Sequence, residues 1–175
     1  MLLDRYPREV WPGHQNLGEM ACFWLDRHES FRRLGAALQN ATADFREGAL
    51  APDRFRRSFA PRLQLFLQSL EGHHQIEDHH FFPVFRAAEK RLQRGFEVLE
   101  QDHETIHEAI VTAVETANAL LTAIDGDVDV LRRASEGYAE ASDRLIARLH
   151  RHLGDEEDLI VPVILDQGER TLFWG

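Results

Sequence analysis

Two stretches of this chain carry the same donor groups in the same order. His73-His74-Gln75-Ile76-Glu77 stands ahead of Pro83, and His152-Leu153-Gly154-Asp155-Glu156 stands ahead of Pro162. Each histidine, glutamate and proline of the second stretch lies 79 positions after its counterpart (73 to 152, 77 to 156, 83 to 162). Between them is a histidine pair four apart, His103 and His107, and His28 precedes His107 by the same 79 positions. Residues four apart share one face of an α-helix. His73 with Glu77, His103 with His107, and His152 with Glu156 would each aim two donors at one point. Imidazole and carboxylate together suit a borderline divalent metal ion. Cys22 is the single cysteine, which excludes a thiolate-rich site and an internal disulfide. Five imidazoles and two carboxylates are too many for one ion, whereas two irons bridged by two carboxylates would use every donor. A lone buried histidine is usually a hydrogen-bonded core residue. Seven inward donors are a different case, because burying carboxylates with no cation costs on the order of several kcal/mol each.

The other candidates carry weaker expectations. His14 is placed at the surface, His74 and His80 as hydrogen-bond partners of the ligands, and His79 and His150 in solvent. Glu157 competes with Glu156, since a five-residue step from His152 reaches nearly the same face; the parallel with His73 and Glu77 favours Glu156. A carboxylate-rich diiron site would need Glu-x-x-His on two helices and a Glu on each of two others. Glu77 with His80, Glu100 with His103, and Glu104 with His107 have that spacing. The last two pairs lie on one helix, and the counterpart of His80 is Leu159, so the carboxylate-rich pattern fails.

Helices must deliver these residues. Leu17, Met20, Ala21, Trp24, His28, Phe31, Leu34, Ala37 and Leu38 recur at three- and four-residue steps, which predicts a helix from a capping box at Asn16 and Glu19 to about Phe45–Gly48. Pro52-Asp53 opens a second helix, with Phe55, Phe59, Leu63, Phe66, Leu67, Leu70, His73, His74 and Glu77 on its inner face and an end at Pro83. Pro61 within it is expected to displace its start or bend it. A short amphipathic piece over 84–94 leads to a third helix over 95–123, with Phe96, Leu99, His103, Ile106, His107 and Ile110 inward. Asp125-Gly126-Asp127 breaks the pattern, and a fourth helix runs from Val128 to Pro162. No period-two alternation marks a strand. The expected fold is all-α: an up-down-up-down four-helix bundle over residues 16–166 with a metal site in its core. An irregular lead-in over 1–15 precedes it, and a tail over 167–175 follows.

The totals narrow the function classes. A chain of 175 residues is one domain's worth, and its net charge of −10 mixes acids and bases with no basic stripe, so no nucleic-acid partner is expected. No apolar run approaches the roughly 20 residues that span a bilayer, so no membrane association is expected. The first residues have no apolar signal-peptide core, which points to the cytoplasm. Nothing in the sequence sets the oligomeric state.

His-x-x-x-Glu before Phe-Phe-Pro (81–83) and again before Ile-Val-Pro (160–162), the single histidine of the first helix and the central histidine pair together resemble the hemerythrin family, in its bacterial HHE cation-binding form. The resemblance covers about Leu25 to Leu165. It implies that His103, His107 and His152 hold one iron and His28 and His73 the other. Glu77 and Glu156 would bridge the two irons, with an oxo or hydroxo group as third bridge; other divalent metals could take the same donors. In oxygen-carrying members the last carboxylate stands five residues after its histidine, where this chain has Glu157; some members that sense iron or repair iron centres use the four-residue step. The 79-residue correspondence breaks in one place, where His103 maps onto Trp24. One iron would then have three histidines and the other two, leaving an open position walled by Trp24, Phe31 and Leu70. The resemblance implies O2 binding at that position, for storage, delivery or sensing, with NO competing for it. The alternative is an enzyme-like role on the same site, turning over peroxide or NO or donating iron for the repair of iron centres.

Overall fold

The computed structural model describes residues 2–174; their regular structure is all helical, with no strand among the described residues. A short helix α1 (Leu2–Arg5) and a 3-10 turn (Arg8–Val10) precede α2 (Glu19–Arg46). Helix α3 (Pro52–Ile76) passes into a π-helical turn (Glu77–Phe81) and then into α4 (Phe82–Ala88). A 3-10 turn (Lys90–Leu92) leads to α5 (Gln93–Ala123), and α6 (Val128–Gln167) is followed by α7 (Glu169–Trp174). The four long helices are those the periodicity predicts, but two prolines act differently. Pro61 lies inside α3 and does not set its start, and Pro162 lies inside α6, which runs on to Gln167. An interior proline costs about 3 kcal/mol. Ile160, Val161, Val163, Ile164 and Leu165 around Pro162 are all buried, and at about 1.5–3 kcal/mol for each such side chain their burial outweighs the proline.

The chain divides into two compact units. The first comprises residues 2–30, 72–103 and 151–174. Its core joins Trp11, Ala21 and Trp24 to Phe82, Phe85, Phe96, Leu99 and the Ile160–Leu165 stretch. Leu2, Leu3 and Tyr6 near one end of the described residues, and Leu172 and Phe173 near the other, pack against it. Trp11 is buried, and its indole N–H donates to the Tyr6 carbonyl at 2.9 Å. Phe173 of α7 meets Phe81 and Phe85 edge-on, at centroid distances of 5.7 and 5.6 Å. The tail also caps α2. The N–H groups of Met20 and Ala21 donate to the Glu169 carboxylate at 3.2 and 2.9 Å, a carboxylate at the positive end of a helix dipole. Asn16, the expected cap, instead donates through its side chain to the Leu165 carbonyl at 2.7 Å. Gly18 is required by this arrangement, since a Cβ there would stand 2.5 Å from the Glu169 carboxylate.

The second unit comprises residues 31–71 and 104–150. Phe45, Phe55 and Phe59 stack in sequence at 4.3 and 4.5 Å, and Tyr138 meets Phe59 edge-on at 5.0 Å. Phe31 and Leu70, expected at the open metal position, are buried residues of this unit, and Phe31 packs on Phe66. No helix among the described residues is long and apolar enough to cross a membrane.

Candidate metal centre

Each long helix presents its donors on the stripe that also carries its buried apolar residues. On α5 the buried positions run from Phe96 through Leu99, His103, Ile106, Ile110, Ala113 and Ala117 to Leu120 in alternating steps of three and four, with Ala123 after them, the rhythm that keeps one stripe inward. The stripe on α2 includes Ala21, Trp24 and His28; on α3 it includes Phe66, Leu70 and His74, leading to Glu77; on α6 it includes Leu145, Leu149, His152, Glu156 and Ile160. Glu77 and Phe82 are five residues apart and both buried. In an α-helix five residues turn about 500°, leaving the two about 140° out of phase; the wide π-helical turn between them restores the phase.

Two groups of donor atoms result, both within the first unit. Those of His28, His73, Glu77 and Glu156 lie within 4.8 Å of one another, and so do those of His74, His103 and His152. His28 Nε2 faces His73 Nε2 at 3.0 Å, and His103 Nε2 faces His152 Nε2 at 3.0 Å. The carboxylates reach both groups. Glu77 Oε1 is 2.9 Å from His73 Nε2, while its Oε2 is 3.7 Å from His103 Nε2. Glu156 Oε2 is 3.5 Å from both His28 Nε2 and His152 Nε2.

The outer nitrogens of two rings are fixed by further carboxylates. His28 Nδ1 lies 3.0 Å from Glu157 Oε1, and His103 Nδ1 lies 2.8 Å from Asp78 Oδ1. Both Nδ1 atoms therefore face carboxylate oxygens, and both Nε2 atoms are turned inward. Metal-bound histidines are oriented in this way. Burial lowers His73 against the pull of Glu77, lowers His74 well below the ordinary imidazole range, and takes His152 down to about 3. These rings are neutral and available as ligands. Burial and then the charge of Glu77 push Glu156 well above the usual carboxylate range. Burial also acts upward on Glu77, but the imidazoles of His28 and His73 outweigh it and hold Glu77 well below that range.

The donors fit a metal ion in each group. Glu156 Oε1 and Oε2, Glu77 Oε2 and His74 Nε2 are buried without a hydrogen-bond partner, whereas buried polar atoms are normally paired. A cation in each group would give them partners. Two imidazole nitrogens about 2.1 Å from one ion and at right angles stand about 3.0 Å apart, which is the spacing of both Nε2 pairs.

The structure places His107 elsewhere. Its side chain is 58% exposed, with Nδ1 3.0 Å from Glu71 Oε2, and it enters neither donor group. After His103 the inward stripe of α5 steps three residues to Ile106, so the fourth position faces out. His74 stands in the three-histidine group instead, its ring stacked on that of His103 at 4.0 Å. His103, His152, His28, His73, Glu77 and Glu156 are brought together, and Glu157 is the outer partner of His28. Trp24 donates from its indole N–H to Glu77 Oε1 at 2.6 Å, and its ring lies 4.1 Å from that of His28. Asp78 carried no expectation; its position directly after an inward glutamate was the only signal. His79 and His80 are exposed, and His14 Nδ1 accepts from the Asn16 N–H at 3.2 Å.

The family model of the hemerythrin HHE cation-binding domain matches residues 22–164. The chain belongs to the hemerythrin family. No curated protein and no solved structure gives a significant match. The hemerythrin match takes in both donor groups together with Asp78 and Glu157. Arg8, Trp11 and the Glu169 cap lie outside it.

Proposed function

We propose that the chain is a non-haem diiron protein of the hemerythrin type, an up-down-up-down four-helix bundle that binds O2. His74, His103 and His152 would hold one iron and His28 and His73 the other, with Glu77 and Glu156 shared between them. The observation that carries this reading is the unequal split of imidazoles, three against two, around two carboxylates that reach both groups. A ferrous pair, when bound, supplies the electrons and the open coordination position that O2 binding needs.

The chain's own residues set the surroundings. Trp24 presents an apolar ring beside His28, and its N–H holds Glu77 Oε1 in place. A small apolar cavity lined by Trp24, Ala21, Phe81, Phe85, Ile160 and Ile164 adjoins that ring and disfavours water on this side. Burial keeps the rings of His73, His74 and His152 neutral, so they are ready to ligate near neutral pH.

Anaerobic loading should give about two irons per chain. The reduced protein should develop a visible absorption on exposure to O2 that reverses under argon. Rapid irreversible oxidation would instead favour turnover of peroxide or NO, or iron donation. A chain that stays metal-free after loading would refute the site itself.

A further inference from the structure

The N-terminal segment reaches the centre through one side chain. The Arg8 guanidinium donates from Nη1 to Glu157 Oε2 at 2.8 Å, from Nε to Asp158 Oδ1 at 2.7 Å and from Nη2 to the Gly154 carbonyl at 3.0 Å. Its carbon lies 4.9 Å from the centre of the Trp11 ring. Glu157 has a side chain only 4% exposed, and its other oxygen lies 3.0 Å from His28 Nδ1. A line of contacts therefore runs from the guanidinium through both oxygens of one buried carboxylate to a ring whose Nε2 faces His73. A buried carboxylate carries a desolvation cost that a partnered cation offsets, and Glu157 adjoins a second buried carboxylate, Glu156, in the chain. Arg8 thus orients the Glu157 carboxylate, and the oxygen left over, 3.0 Å from His28 Nδ1, holds that ring in place. The forked geometry, with three donors aimed at three acceptors, suits arginine and not lysine.

We propose, on the two-metal reading above, that Arg8 is a positioning residue: through Glu157 it sets the orientation and tautomer of His28, so that docking of the N-terminal segment on α6 governs metal affinity at the two-histidine position. Arg8 lies ahead of the residues matched to the family, so this control belongs to the chain's own N-terminal segment.

Arg5 supplies the control. It makes an ion pair of the same kind from the same segment, to Asp166 at 2.7 Å, and Asp166 is not in contact with a donor group. R8A, R8K and R5A are compared with the unaltered chain by two readouts, after circular dichroism has shown each to be folded. In metal-free protein, the ring nitrogen resonances of His28 should report a proton on Nδ1 in the unaltered chain and in R5A, and a mixture of tautomers in R8A. In Co2+ titrations followed by the visible bands, the weaker equivalent should lose about 10–100-fold in affinity in R8A, less in R8K, and nothing in R5A. Equal losses in R5A and R8A would reduce the effect to general docking of the segment and overturn the proposal. An unchanged tautomer and affinity in R8A would overturn it as well. If the unaltered chain takes up no metal, the diiron reading fails, and the tautomer measurement still decides the role of Arg8.

Discussion

Substituting His74 and His107 separately tests whether the third imidazole of the three-histidine group is placed by helix phase or by repeat spacing. His107→Ala removes a ring that is 58% exposed and paired with a Glu71 that is itself 38% exposed. An exposed pair contributes about 0–1 kcal/mol, and in a chain of this size 1 kcal/mol moves Tm by about 2–4 °C. His107→Ala should therefore shift Tm by no more than about 4 °C and leave metal content unchanged. His74→Phe keeps a ring to stack on His103 but removes a nitrogen that is buried without a partner; with nothing left unsatisfied, metal-free stability should hold or rise. Its effect falls on metal binding. A four-donor site is worth about 10–16 kcal/mol, or about 3 kcal/mol per donor, which is about a hundredfold in affinity. A hundredfold loss removes about 2.7 kcal/mol of ligand-linked stabilisation, so the metal-induced rise in Tm should shrink by about 5–11 °C. The assay is anaerobic Co2+ or Fe2+ titration with elemental analysis, and thermal melts with and without metal. Loss of metal in His107→Ala, with full binding in His74→Phe, would refute the phase argument.

Three further outcomes are expected. Trp24→His places an imidazole on the two-histidine side in the position where the repeat lacks one, so metal content should persist while O2 binding is suppressed; unchanged O2 affinity would count against an open position there. Burial, opposed by a hydrogen bond with Ser142, pushes the Tyr138 hydroxyl up to about 12. Between pH 10 and pH 12 the unfolded chain loses this proton while the folded chain keeps it, so stability is full below pH 10 and falls by about 3 kcal/mol as pH rises. Tyr6 is raised too, by burial and its hydrogen bond to Asp166, so urea unfolding at stepped pH should show the full drop in the unaltered chain and a smaller one in Tyr138→Phe. Finally, Glu169→Ala removes the acceptor for the Met20 and Ala21 N–H groups, which should cost about 1 kcal/mol and lower Tm by about 2–4 °C; Gly18→Ala should do nearly the same by displacing that carboxylate, and an unchanged melt in both would dismiss the cap.

The helices were legible because their apolar residues recur with helical period over long runs, and because Asp125-Gly126-Asp127 marks a break that no buried stripe crosses. His73 with Glu77 and His152 with Glu156 were legible because four-residue spacing carries a direction as well as a distance, and His28 and His103 because each falls on the apolar stripe of its helix. His107 was not: its four-residue step from His103 and its 79-residue offset from His28 both count positions, and neither says which step, three or four, the inward stripe takes next. From Trp24 the inward stripe of α2 steps four residues to His28, while from His103 that of α5 steps three to Ile106. The alternation of Leu99, His103, Ile106 and Ile110 contained that information. The Glu169 cap and the Arg8 contact were beyond the sequence, since each joins residues about 150 positions apart and has no local signature. The π-helical turn was also hidden, because the pattern of inward residues there departs from both helical steps that periodicity recognises.

That turn bears on how this chain can be compared with others. One extra residue inside a helix ordinarily rotates everything beyond it by about 100°, and here it would carry Phe82 and Phe85 out of the core. The five residues of Glu77–Phe81 absorb the surplus locally. They also let two adjacent acids take separate duties, Glu77 between the imidazoles and Asp78 against His103. An alignment with a chain whose helix is unbroken must open its gap within this turn, after the donors and before the aromatics. Such a gap in the middle of a helix denotes a change of winding and not a loop.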